Sequence, residues 1–286
     1  MRGIGRPEES RPAGAFRVRI WGARGSLPVS GEQFRVFGGN TMCIEIRCGD
    51  HVLLFDAGSG LLPAGQALKT EGVDTFNLFF SHCHYDHIIG LPFFSLMFDP
   101  TAVGTFWSGH LEGKMTTDQM ISSFMRPPWF PVEPDIWRAR LISEDFRAGD
   151  VLRPHADLIV RTASLNHPGG AIGYRVEWAG RAAAIITDTE HLPGVLDPAV
   201  QGLIEGCDLF LYDTTYTDEE MEAHRGFGHS SWQHAIVLAK NAGARQVGFV
   251  HHAPWRSDAA LLEADRLAKK EFSGAFFARD GQIIDL

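Results

Sequence analysis

Apolar residues alternate with arginine through residues 16–21, Phe-Arg-Val-Arg-Ile-Trp, the two-residue period of a strand with one buried face. Further on the pattern becomes a series of short apolar runs. Residues 42–48, 51–55, 76–80, 157–163, 172–178, 182–187 and 208–213 read as strands separated by polar or glycine-containing turns. The period lengthens at residues 230–242, where Trp232, Ile236, Ala239 and Ala242 share a face, serine hydroxyls stand at the start and Gly243 at the end; this predicts a helix. Residues 61–69 and 259–272 are read as helices too, and 88–98 is apolar enough to start one packed on a sheet. A strand ending in His251-His252 follows the 230–242 helix, and strands at 275–278 and 282–286 close the chain.

Residues 1–15, rich in Arg, Pro, Gly and Glu, are expected to be a disordered tail. From residue 16 to 286 the strand-like runs are evenly spread without a long linker, which predicts a single domain; 44% hydrophobic and 21% charged residues are the proportions of a globular protein. A net charge of −9 argues against extended nucleic acid as a partner. Cys43, Cys48, Cys83 and Cys207 form no CxxC pair, so reduced thiols are expected, Cys83 as a packing residue. No apolar stretch approaches the ~18 residues of a membrane span, and residues 1–7 lack the apolar core of a signal peptide; the expectation is a soluble, cytoplasmic protein.

The chemistry concentrates directly after the 76–80 strand, in Ser81-His-Cys-His-Tyr-Asp-His87. At a strand end His82 and His84, two residues apart, point the same way and can share one metal. Asp86 and His87 come after the turn and suit a second metal with mixed oxygen and nitrogen ligands. A dinuclear site follows.

HxHxDH after an apolar strand resembles the signature of the metallo-β-lactamase superfamily of hydrolases. Trp21-Gly-Ala-Arg-Gly-Ser26, Gly38-Gly-Asn-Thr41 and a strand ending in Asp56-Ala-Gly58 resemble the branch that groups phosphodiesterase-like members with ribonuclease Z relatives. The resemblance implies an α/β fold, a four-layer αββα sandwich with two metals at one edge of the sheets. It assigns His82, His84 and His167 to the first metal, Asp86, His87 and His251 to the second, and Asp188 as the bridge. His251 rather than His252 is selected by the family's His-x-x-Pro strand end, a strand-end bulge being what would exchange them. Asp56 is expected to orient the metal loop, its alternative being a helix cap or a turn. Asp213 and His229, just ahead of the 230–242 helix, are similar to a Glu–His pair of ribonuclease Z that assists proton transfer, with the shorter Asp in place of Glu; the alternative is that His229 only hydrogen-bonds at the helix entry.

Zinc is the expected metal, with manganese or iron as alternatives. The resulting expectation is a phosphodiesterase for a small nucleotide-like or cyclic phosphate ester, with a hydroxide held between the metals as nucleophile and Asp86, Asp213 and His229 as catalytic residues. Alternatives are a hydrolase of carboxylic esters, lactones or thioesters, a non-catalytic accessory protein and an iron redox enzyme. Residues 116–135 mix prolines with large apolar groups; Trp129 and Phe130 are expected to wall the substrate pocket, or else the segment covers a sheet edge or forms a homodimer contact.

Overall fold

The computed structural model describes residues 14–286. The expected disordered tail lies outside them except for Gly14 and Ala15, which are exposed. The first half of the chain forms β1 (Phe16–Gly22), β2 (Cys43–Cys48), β3 (His51–Phe55), α1 (Leu61–Thr70), β4 (Thr75–Phe80), α2 (Tyr85–Ile88), β5 (Val103–Ser108), α3 (Thr117–Phe124) and β6 (Arg140–Asp145). The second forms β7 (Val151–His155), β8 (Leu158–Leu165), β9 (Ala171–Trp178), β10 (Arg181–Ile186), α4 (Pro198–Ile204), β11 (Leu209–Asp213), α5 (Asp218–Met221), α6 (Trp232–Ala242), β12 (Val247–Val250), α7 (Asp258–Glu271), β13 (Ala275–Phe277) and β14 (Ile283–Asp285).

Two seven-stranded sheets result, in the orders β14-β1-β2-β3-β4-β5-β6 and β13-β12-β11-β10-β9-β8-β7. Strands β3 to β6 run parallel, as do β10 to β13, while the remaining ladders are antiparallel. The last strand, β14, leaves the second half and pairs with β1, so the C-terminus locks the first sheet.

Three apolar layers explain why the sheets stack. Val18, Ile44, Leu53, Phe55 and Phe79 from the first sheet meet Val160, Tyr174, Val176, Ile185 and Leu211 from the second in a central core. On the outer face of the first sheet, Leu54, Phe76, Leu78 and Phe80 are covered by Leu61 and Leu68 of α1 and by Met120 and Ile121 of α3. On the outer face of the second, Ala184, Phe210, Tyr212 and Phe249 are covered by Leu203, Ile236, Ala239 and Leu261 of α4, α6 and α7. This is the expected αββα sandwich. Among the described residues, no helix is long and apolar enough to cross a membrane.

Residues 88–98 depart from the helical expectation. Helix α2 ends at Ile88, and the apolar stretch continues as two 3-10 turns, Leu91–Phe93 and Ser95–Phe98. Proline at 92 removes a backbone donor, and Phe94 is extended at φ −73°, ψ 110°, so the helical hydrogen bonds cannot run on. Within residues 116–135 the regular parts are α3, opened by a reciprocal Thr116–Gln119 capping box, and a 3-10 turn at Pro134–Ile136.

Phe79 ties the layers together: it stacks on Phe55 at 5.0 Å and on Trp107 at 5.5 Å and meets Tyr174 of the opposite sheet at 5.6 Å. Alanine at this fully buried position is expected to cost about 3–5 kcal/mol of stability. Urea denaturation measures it, and a loss below about 1 kcal/mol would contradict the packing described.

Candidate functional site

The carboxyl ends of the parallel strands of both sheets meet at one edge. Asp56 follows β3, Ser81 and His82 follow β4, Asp188 comes two residues after β10, Asp213 ends β11 and His251 follows β12. Ligand sites of open parallel sheets form at such ends because each strand delivers one side chain there and then turns away. His84 is the extended residue before α2, so Asp86 and His87 lie in that helix's only turn. Several of these residues hold conformations that L-amino acids avoid. Asp56, Asp188 and His251 sit at φ 62°, 45° and 61°, and Ser26, which donates its backbone N–H to Asp86 Oδ2 at 2.7 Å, sits at 64°. Each such residue costs about 1–3 kcal/mol, a strain typical of functional sites.

Asp188 divides the gathered side chains into two groups. Its Oδ2 lies 3.6 Å from His82 Nε2 and 3.7 Å from His167 Nε2, and His84 Nδ1 is 3.1 Å from the same His167 nitrogen. Its Oδ1 lies 3.2 Å from His87 Nε2 and 3.3 Å from His251 Nε2, which are respectively 3.3 and 3.1 Å from Asp86 Oδ2. Nitrogen and oxygen ligands placed about 2.1 Å from one tetrahedral ion stand about 3.4 Å apart, so each group has the spacing of a single coordination sphere.

The outer nitrogen of each imidazole, except that of His84, is engaged by the protein. His87 Nδ1 donates to Asp56 Oδ2 at 2.8 Å. His82 Nδ1 lies 3.0 Å from Ser81 Oγ, whose hydroxyl donates to the same Asp56 oxygen at 2.8 Å. The second sheet repeats the device: His251 Nδ1 lies 2.8 Å from Thr215 Oγ1, whose hydroxyl donates to Asp213 Oδ1 at 2.8 Å. His167 Nδ1 donates to the Gly228 carbonyl at 2.8 Å. With Nδ1 protonated by these bonds, the lone pair on Nε2 faces the centre, as a ligand requires.

Ser81, Thr215, Ser26 and Glu190 also hold the candidate site together, and the sequence alone does not assign them. Glu190 accepts from the N–H groups of Gly226 and Gly228, between 2.8 and 2.9 Å, and so fixes the loop whose carbonyl holds His167 and whose next residue is His229. Ser81 and Thr215 adjoin a motif histidine or a strand-end carboxylate, which is the signal that could have found them. Glu190 lies two residues past Asp188, and no spacing marks it. Two glycines are enforced by close approach: a Cβ at Gly25 would stand 2.1 Å from the His251 ring, and one at Gly228 2.3 Å from His167 Nδ1.

The residues fit a pair of cations. His82 Nε2, His87 Nε2 and Asp188 Oδ1 are buried and have no hydrogen-bond partner among the described residues, which is costly for polar atoms unless something else satisfies them. Burial opposes ionisation of Asp188, yet His251, His87 and His82 hold its carboxyl well below the ordinary range. Burial and the neighbouring His87 push His82 well below its usual value, toward the neutral form that ligates. Burial opposes charge on His87 as well, but Asp188, Asp86 and Asp56 raise it well above its ordinary value. That pull on a proton marks excess negative charge at the centre.

His229 Nδ1 donates to Asp213 Oδ2 at 2.8 Å, so aspartate reaches the histidine despite being shorter than glutamate. Burial works against the imidazolium, and the Asp213 carboxylate overcomes it, raising His229 to about 9. His252 points elsewhere, its Nε2 donating to the Ala278 carbonyl at 2.9 Å; burial pushes it down to about 3. A cleft of about 550 Å³ is lined by Ser26, Cys83, Tyr85 and His229 together with His84, Asp86, Asp188 and His251. Tyr85 also borders an apolar cavity of about 380 Å³ formed with Ile89, Phe93, Phe124, Trp129 and Phe130, so the structure brings the expected pocket aromatics beside the cleft rather than over it. Cys83 packs partly against the outer core of the first sheet.

Asparagine at position 56 keeps the shape of the side chain and removes the charge that anchors both His87 and, through Ser81, His82. Its expected effect is a 10- to 100-fold weaker hold on divalent zinc, read by competition with a chelator. An unchanged affinity would mean that Asp56 serves only as a turn residue.

The model of the β-lactamase superfamily domain matches residues 51–252. A ribonuclease Z of Haloferax volcanii is 26% identical, over 95% of each chain. Zn²⁺-bound PqqB from Methylobacterium extorquens superposes with a TM-score of 0.71 at 18% identity, over 94% of this chain and all of the other. A diphosphatase of the PhnP family gives a TM-score of 0.69 at 16% identity, over 94% and 97% of the two chains. The central sandwich, the strand-end histidines and aspartates, and a family match across most of the chain lead to one conclusion: this protein belongs to the β-lactamase superfamily and is a hydrolase of that family.

Proposed function

We propose that the protein is a dinuclear metal-dependent phosphodiesterase acting on a small nucleotide-like or cyclic phosphate ester. The observation that carries this reading is the division of the Asp188 oxygens between two ligand groups, with a hydrogen-bonded Asp213–His229 pair beside them. His82, His84 and His167 would hold the first cation, Asp86, His87 and His251 the second, and Asp188 both. Three imidazoles with one carboxylate suit zinc, while the second set, with two carboxylates, also accepts manganese or iron. Two divalent cations there would supply Lewis acidity and a nucleophile drawn from water at neutral pH.

The chain's own residues do the rest. Asp56 and Asp213, through Ser81 and Thr215, hold imidazoles of both groups in the ligating tautomer. His229, kept protonated by Asp213, would donate a proton to the departing alkoxide, a contribution of about 10²–10⁴ in rate. Its position in the wall of the cleft suits that task. A cleft of about 550 Å³ accommodates a small ligand, and the neighbouring cavity with Trp129 and Phe130 offers a face for a planar ring.

The ribonuclease Z name of the relatives favours a second reading, cleavage of RNA. Against it stand the net charge of −9 and a cleft lining that, among the described residues, includes no Lys or Arg to grip a phosphate backbone. Parallel assays of cyclic nucleotides and a precursor tRNA decide between them: turnover of the small esters with the tRNA left intact is expected, and the reverse pattern would transfer the assignment to RNA.

Asp188→Ala is expected to abolish turnover together with the metal held in the cleft. His229→Ala should retain metal and lose about 10²–10⁴ in rate on an alkoxide-releasing cyclic nucleotide. The same variant should lose far less on bis-p-nitrophenyl phosphate, whose p-nitrophenolate leaves without a proton. Equal losses on the two substrates would remove His229 from the role of acid.

A further inference from the structure

At the opposite end of the sandwich a second group of ligand-type side chains comes together. His51 opens β3 of the first sheet, His155 closes β7 of the second, and Asp157 lies in the two-residue turn between β7 and β8. Strand β3 has five residues and β8 eight, and both run from this end to the cleft. At about 3.3 Å per residue, roughly 17–26 Å separates the two places. His155 Nδ1 lies 2.5 Å from Asp157 Oδ1 and His51 Nε2 lies 3.7 Å from the same oxygen. The two imidazole rings are 3.8 Å apart, centroid to centroid, and the three ligand atoms all lie within 4.8 Å of one another.

The carboxylate is set for this role. Trp178 Nε1 donates to Asp157 Oδ2 at 2.9 Å, which fixes the group and leaves Oδ1 facing both imidazoles. Bonds from His155 and Trp178 keep the Asp157 carboxyl below its ordinary value, so it is an anion. As a purely protonic arrangement the trio achieves little, since exposed His–Asp pairs contribute about 0–1 kcal/mol. A single cation would give both rings and the carboxylate one shared partner.

We propose that His51, His155 and Asp157 form a surface site for one divalent transition-metal ion of the zinc, nickel or copper class, clasping the two sheets at the end remote from the cleft. Two nitrogens and one oxygen match the ligand preference of those metals, with water completing the sphere. Around a tetrahedral ion the ligand atoms stand about 3.4 Å apart, so the His155–Asp157 contact must open by about 1 Å. With about half of each of these side chains exposed, there is room for that movement.

The test is metal content after dialysis of the folded protein against zinc and removal of the excess. Wild type is expected to hold one equivalent more than the His51→Ala/His155→Ala double variant, and zinc is expected to raise the Tm of the wild type more than that of the variant. Asp188→Ala in the cleft should retain this equivalent, which separates the site from the one described above whatever the cleft holds. Asp157→Asn, a milder change, should release the same equivalent if the double variant folds poorly. Equal zinc in wild type, double variant and Asp157→Asn would overturn the proposal.

Discussion

Asp188 turns one oxygen toward each of two imidazole groups, and the rest of the architecture is needed to let it do so. A carboxylate buried among five histidines is unfavourable unless every neighbour is placed to compensate its charge. The neighbours come from both sheets and from both halves of the chain: His82, His84 and His87 follow β4, while His167 and His251 follow β8 and β12. The central core that presses the sheets together is therefore also what assembles the site. Tyr174 makes the connection explicit, since its hydroxyl, from the second sheet, donates to the Phe80 carbonyl at the last residue before the metal loop.

Two outer aspartates perform matching work. Asp56 in the first sheet and Asp213 in the second each accept a hydroxyl that in turn accepts an imidazole N–H, Ser81 for His82 and Thr215 for His251. Each also accepts a second histidine directly, His87 for Asp56 and His229 for Asp213. One of these direct partners faces Asp188 and the other the wall of the cleft. The same local device thus fixes an imidazole toward the centre on one side and an imidazole beside the cleft on the other. Loop 226–228, pinned by Glu190, joins the two tasks because it holds His167 and carries His229.

Much of this was legible in the sequence because strand ends and metal motifs coincide. An apolar run followed by a histidine or aspartate places the side chain at the sheet edge, which is how His82, Asp188 and His251 are found. The selection of His251 over His252 needed the family pattern, because the left-handed turn at His251 breaks the alternation of the strand. Edge and cover elements were less legible. β6 is a solvent-facing edge strand in which Leu141 is half-buried and Ile142 exposed, and it gives no clean run. α4 is seven residues long, and its start signal, Asp197 capping Ala199 N–H with Pro198 next to it, lies in an otherwise loop-like stretch. Residues 88–98 show the opposite: their apolar content predicts a helix, where Pro92 and the extended Phe94 enforce 3-10 turns. Glu190 escaped because its role lies in three-dimensional backbone contacts rather than in a motif.

The proposed pair of cations separated by the Asp188 carboxylate is tested most directly by anomalous diffraction at the zinc edge from crystals of zinc-loaded protein. It predicts two peaks in the cleft, one on the Oδ2 side of Asp188 among His82, His84 and His167, the other on the Oδ1 side among Asp86, His87 and His251. A single cleft peak, or two peaks that do not lie on opposite sides of Asp188, would contradict it.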